Sequence, residues 1–213
     1  GHTFGEWKVI SGGNLKRICT AECGAYEEMP VIAPISYSVV NSTKSEDNGA
    51  NAALITDNAL DLFNDVLSVE EQASVAEGST TVSVYLEVSD IPAEEVSASD
   101  KDVFEAVIES ADNALDETTE IGMYLDIELF KEVTKDNESE ETKITETNGT
   151  VTITIEIPEE LLNTDKSKKR TYRIIRIHED ETGNIVTDVI EGKFNSKDNT
   201  FTFETDKFST YAV

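Results

Sequence analysis

From residue 150 to the end of the chain, strand-like runs follow one another in which apolar and polar residues alternate with a period of two, the pattern of a sheet with one face on a core. Val151, Ile153, Ile155 and Ile157 fall on one side of an extended backbone, and Thr152, Thr154 and Glu156 fall on the other. The pattern recurs at 200–204, where Phe201 and Phe203 oppose Thr202 and Glu204, and at 80–89, where Val82, Val84, Leu86 and Val88 share one face. Strands are expected at 80–89, 123–133, 142–146, 150–157, 170–178, 185–194, 200–204 and 210–213. Asn148-Gly149, Gly183-Asn184 and Asp198-Asn199 supply residues that tolerate positive φ, so hairpin turns are expected there. The expected fold is mainly β: an antiparallel sandwich of Ig-like architecture with short inserted helices and a small N-terminal β-hairpin module.

The helices announce themselves by their caps. Thr56 or Asp57 can start a turn carrying Leu60, Leu62 and Phe63, and Ser68-Val69-Glu70-Glu71 is a capping box ahead of Ala73 and Val75. A longer helix is expected from about Ser99, where Val103, Phe104, Val107, Ile108, Ala111 and Leu115 recur at three-and-four spacing.

Three regions are expected: a hairpin module over 1–35, a linker over 36–53 and the sandwich over 54–213. In the first, two short apolar runs flank Gly12-Gly13-Asn14. Pro30 and Pro34 bracket an extended connection, and the polar run 42–51 reads as a loop. Gly1 ahead of His2 has the look of a residue left by tag removal, which makes the start of the chain a cut edge. Some thirty residues cannot bury much of a core, so the first unit must lean on Trp7, on a cysteine link or metal, or on its neighbour.

Acidic residues number 44 against 17 basic ones, a net charge of −27 spread along the whole chain of 213 residues. Such a field repels phosphate backbones and anionic headgroups, which argues against nucleic acid as a partner. No run approaches the roughly 18 apolar residues of a membrane span, so no membrane insertion is expected in this segment.

Cys19 and Cys23 are the only cysteines. A local disulfide stapling the hairpin, a metal with His2 as third ligand, and free thiols are all open readings. The disulfide is the expectation, because a structural zinc normally takes four ligands and the chain offers three. No cofactor is expected. His178, the other histidine, reads as a surface group at a strand end. Without a Gly-x-Ser-x-Gly turn or a partner histidine, a catalytic triad is not supported, and no enzyme is expected. Carboxylates are too abundant for any pair to single itself out. The turn Asp180-Glu181-Thr182-Gly183-Asn184 alternates oxygen ligands but lacks the twelve-residue calcium spacing, so an ordinary turn is favoured. Phe201, Phe203, Phe208 and Tyr211 read as core rather than as a sugar platform.

Several of these runs, taken in order, carry a resemblance. Val84-Tyr85-Leu86-Glu87-Val88, Tyr124-Leu125-Asp126-Ile127-Glu128, Ile144-Thr145-Glu146-Thr147-Asn148-Gly149, Arg170-Thr171-Tyr172-Arg173-Ile174-Ile175 and the segment 203–212 resemble a β-rich module near the C-terminal end of large surface proteins of gut Firmicutes. The likeness covers roughly 54–213. His2-Thr3-Phe4-Gly5-Glu6-Trp7 with Arg17-Ile18-Cys19 and Cys23-Gly24 is similar to short repeats of the same kind of protein. Those repeats usually hold two residues between the cysteines, where Thr20, Ala21 and Glu22 stand here. The resemblance implies an extracellular or cell-surface structural or adhesion module, with neighbouring domains of the same polypeptide as partners. The alternative is a domain that binds a glycan or host protein through loops at one end of the sandwich. It implies no site residues.

Overall fold

A computed structural model describes residues 1–10, 14–21, 23–29, 35–43, 51–55, 59–110, 115, 118–165, 167–180 and 182–213. The Gly12-Gly13 turn, the Thr56 or Asp57 cap, Pro30, Pro34 and most of the 42–51 loop lie outside the described residues.

The first unit is a three-stranded antiparallel sheet of β1 (Lys8–Val9), β2 (Leu15–Ile18) and β3 (Tyr26–Met29), in that order. The expected hairpin is therefore joined by a third strand. Its register sets Lys16 opposite Glu28 and Arg17 opposite Glu27, and both pairs close as ion pairs, at 3.0 and 2.6 Å. Arg17 also lies over the Trp7 ring, 4.5 Å from its centroid. Leu15 and Cys19 are the only fully buried apolar residues described in this unit, so charge pairing and stacking stand in for a core.

The rest is a sandwich. The larger sheet runs β11 (Ile185–Ile190), β10 (Ile174–Glu179), β14 (Thr210–Ala212), β7 (Tyr124–Lys135), β6 (Thr80–Ile91), β4 (Ile35–Thr43), and β8 (Glu138–Ile144) shares the β14 side of β7. The smaller sheet runs β12 (Gly192–Asn195), β13 (Thr200–Lys207), β9 (Glu146–Glu156), β5 (Ala52–Ile55). Val84, Leu86, Val88, Leu125, Ile127 and Leu129 of the first sheet meet Ile153, Ile155, Phe201 and Phe203 of the second in one apolar core. Burying each such side chain contributes about 1.5–3 kcal/mol.

Three features correct the sequence reading. The segment 36–53, read as a linker, carries β4 and β5 into the two sheets. In sequence, β4 carries Ile35, Tyr37 and Val39 in alternation with Ser36 and Ser38, a β pattern masked by the proline before it and the polar run after Val40. It runs parallel with β6 over nine residue pairs, so the sheet is not antiparallel throughout. Asn148-Gly149 is not a turn but lies inside β9. A turn that the sequence reading did not single out joins β7 to β8 at Asp136 and Asn137, whose φ values of 53° and 65° suit a two-residue hairpin. The turns expected at Gly183-Asn184 and Asp198-Asn199 are present, with φ of 81° at Gly183 and 54° at Asn199.

Three of the passages between sheets are tight corners: Thr145 between β8 and β9, Glu191 between β11 and β12, and 208–209 between β13 and β14. Phe208 N–H donates to Thr145 C=O at 2.9 Å, tying two corners together. Glycine is required after Glu191, because a Cβ on Gly192 would overlap the Phe201 ring and Thr202 O.

The helices cover what the sheets leave open. α1 (Ala59–Val66) and α2 (Val69–Ala76) bring Leu62, Phe63, Val66 and Val75 into the inter-sheet core. Ser68 caps α2 in the expected box, its side chain accepting from Glu71 N–H at 3.2 Å while Glu71 accepts from Ser68 N–H at 2.7 Å. Glu71 also grips Lys131 Nζ at 2.8 and 2.9 Å, which satisfies a lysine on the core-facing side of β7. Buried Gln72 donates to the Leu67 carbonyl, 3.1 Å away, beyond the end of α1. α3 (Ala98–Glu109) packs on the outer face, where Phe104 and Val107 meet Ile175, Ile177 and Ala212.

Candidate functional site

Three places gather chemically capable side chains. The first is the N-terminal corner. Residue 4 bridges residue 19 as a β pair, Gly5 N–H donates to Ile18 C=O at 3.0 Å, and Thr20 N–H donates to Thr3 C=O at 2.8 Å. These bonds lay the first residues along the end of β2 and carry His2 to the cysteines. Beyond Cys19 the chain turns back, with Cys19 N–H donating to Ala25 C=O at 2.9 Å and Gly24 at φ 74°. Cys23 Sγ is 3.3 Å from His2 Nδ1, and one ligand atom from each of His2, Cys19 and Cys23 lies within 4.8 Å of the others. Both cysteines are free thiols, Cys19 buried and Cys23 exposed. The Cys19 thiol is drawn down to about 7, first by its hydrogen bond with Cys23 and then by the Ala21 backbone, against the opposing effect of burial.

The second place is between the sheets. Ile175 and Ile177 face α3, so Arg176 and His178 of the same strand face inward. Arg176 donates from Nη2 to Asp188 at 2.6 Å, and from Nη1 to Asp206 at 2.6 Å and Thr205 Oγ1 at 2.7 Å. Asp188 is on β11 and Asp206 on β13, so one guanidinium fork ties one sheet to the other. Tyr211 joins through Thr205 at 3.1 Å, and burial raises its hydroxyl to about 12. His178 is buried at 9% exposure, which corrects its reading as a surface group. Burial and the Arg176 charge push its pKa below the ordinary value, and its Nδ1, 3.7 Å from Asp188 Oδ2, has no hydrogen-bond partner. Both effects favour the uncharged imidazole. Its sequence signal was available: Ile174, Arg176 and His178 share the period-two face on which Ile174 enters the core.

The third is a groove of about 560 Å³ between α1 and β9, lined by Asp61, Leu62, Asp65, Asn148, Thr150 and Glu204 among others. Asp65 is committed to structure there. It accepts from Asn148 N–H at 2.7 Å, from the Asn148 side-chain amide, and from Gly149 N–H at 3.3 Å, fixing the irregular start of β9. No aromatic side chain lines the groove among the described residues.

The remaining candidates resolve into structure. Asp180 turns its carboxylate onto its own loop, accepting from Thr182 N–H and Oγ1 and from Asn184 N–H, and those bonds hold it far below the usual carboxylate range. Phe201, Phe203, Phe208 and Tyr211 are all buried, as expected of core residues. No helix among the described residues is long and apolar enough to cross a membrane. Compared with protein-family models, with curated proteins and with solved structures, the chain matches none of them.

Proposed function

We propose that this chain is a structural module of a larger extracellular bacterial protein, carrying load and spacing between neighbouring domains, without catalytic activity of its own. The observation that carries this reading is the direction of two strands. β4 is parallel to β6, β6 is antiparallel to β7, and β7 is antiparallel to β14, so β4 and β14 run the same way in one sheet. Tension between the start of β4 and the end of β14 therefore acts along the strands. All bonds of a ladder are then loaded together, whereas a hairpin pulled from its open end breaks them one at a time.

Two further observations support it. Carboxylates in the best-formed clusters are engaged in holding backbone and cationic partners, as Asp65, Asp180, Asp188 and Asp206 do. The net charge of −27 keeps such a module soluble and repels anionic surfaces. The extracellular part of this reading rests on the resemblance of the runs between 84 and 212 to a module of Firmicutes surface proteins. The alternative of glycan or host-protein binding would use the α1–β9 groove, whose acidic lining holds no ring to stack on a sugar among the described residues, which favours the load-bearing reading.

The test is accessibility. Antibodies raised against the chain should label intact source cells, or be neutralised by the culture medium, as fully as they label lysed cells. Labelling that needs lysis would overturn the extracellular placement.

A further inference from the structure

We infer that His2, Cys19 and Cys23 form a binding site for a thiophilic divalent ion of the zinc class, held by one imidazole nitrogen and two thiolates with a fourth position open to water. Four observations meet here. The three side chains come from two segments 17 residues apart in sequence, yet their ligand atoms lie within 4.8 Å of one another. The three residues between the cysteines fall in the range that lets two thiolates reach one tetrahedral ion. The ligand set is soft, which selects zinc-class ions over calcium or magnesium in spite of the chain's excess of carboxylates. The unit also needs a staple, since Leu15 and Cys19 alone are deeply buried in it among the described residues.

An ion here would join the arm before β1 to the end of β2 and the following turn. Binding exchanges the two thiol protons for the metal, so affinity rises with pH and binding free energy becomes folding free energy for the unit. This inference stands apart from the proposed load-bearing role, which concerns the sandwich.

The experiment uses the full chain, reduced, metal-free and without added histidines, titrated with Co²⁺ and then Zn²⁺. A sulfur-to-cobalt charge-transfer band with the intense visible bands of a tetrahedral ion should saturate at one ion per chain and vanish on adding Zn²⁺. Carboxylate-bound cobalt gives no such band, so the acidic surface does not confound the readout. Cys23→Ser should abolish the band, and His2→Asn should weaken Zn²⁺ binding at least about tenfold. Both positions are exposed, and neither side chain is part of the strand ladder. Zinc should also slow exchange of the Gly5 and Thr20 amides. Absence of the sulfur band, a band that survives Cys23→Ser, or a Cys19–Cys23 disulfide that forms equally fast with and without Zn²⁺ would each overturn the assignment.

Discussion

Replacing Phe203 with alanine is expected to cost about 3–5 kcal/mol of folding stability, the transfer free energy of the ring plus the cavity it leaves. Phe203 is 2% exposed on β13, where it pairs with Ile153 on one side and Gly192 on the other. Its ring centroid is 6.2 Å from that of Phe201 and 6.1 Å from that of Tyr211, so no neighbour can close the gap without leaving its own contacts. Native domains hold only about 5–15 kcal/mol in reserve, so this one truncation should shift the denaturation midpoint by a large fraction of its value. A midpoint within about 0.5 kcal/mol of wild type would place Phe203 outside the core.

Arg176→Ala is expected to cost about 3 kcal/mol, because it strips the cation from Asp206 and Asp188 and removes one of the bonds of Thr205 at a junction of both sheets. The two aspartates are partly hydrated, which keeps the loss to the lower end of what a broken buried pair costs. Arg176→Lys should recover only part of it, since an ammonium cannot fork to partners on two strands. The acid limb gives an independent reading. Burial opposes ionisation of Asp206, but the hydrogen bond and charge of Arg176 outweigh it and hold its pKa below the usual carboxylate value. As pH falls through about 4 the unfolded chain takes up this proton first, so the wild type loses stability there. In Arg176→Ala the Asp206 pKa returns toward its ordinary value, and the slope below pH 4 should flatten. An unchanged acid limb with an unchanged midpoint would show that the fork contributes nothing.

Much of the sandwich is legible in the sequence because one face of each strand is buried, which forces hydrophobes into every second position. Residues 150–157 and 200–204 are the clearest cases, and 80–89 needs only extension to Ile91. The misses have physical causes. In β4, serines occupy the alternate positions and the prolines at 30 and 34 read as loop, so a nine-residue strand was read as linker. Over 185–194 the β-branched residues read as one uninterrupted strand, yet the chain passes from one sheet to the other at Glu191, and only Gly192 hints at the corner. Asn148-Gly149 has hairpin chemistry, but Asp65, more than 80 residues earlier, supplies the bonds that keep it in a strand.

The candidate sites were less visible because they depend on pairing across the chain. Nothing local joins His2 to Cys19 and Cys23 until residue 4 pairs with residue 19. Arg176 looks like a surface arginine until β10 is assigned a helix-covered face and an inward one, after which its inward direction follows.

The central claim is mechanical, and force measures it most directly. Single molecules would be stretched through handles at the start of β4 and the end of β14, and separately through handles at Phe130 and Lys143, which face each other one pair in from the open end of the β7–β8 hairpin. Forced unfolding is governed by the barrier along the pulled coordinate. The first geometry shears the β4–β6 ladder and both ladders of β14, and the second opens a hairpin bond by bond. The account predicts a clearly higher rupture force at equal loading rate for the β4–β14 pair; equal or lower force there would contradict it.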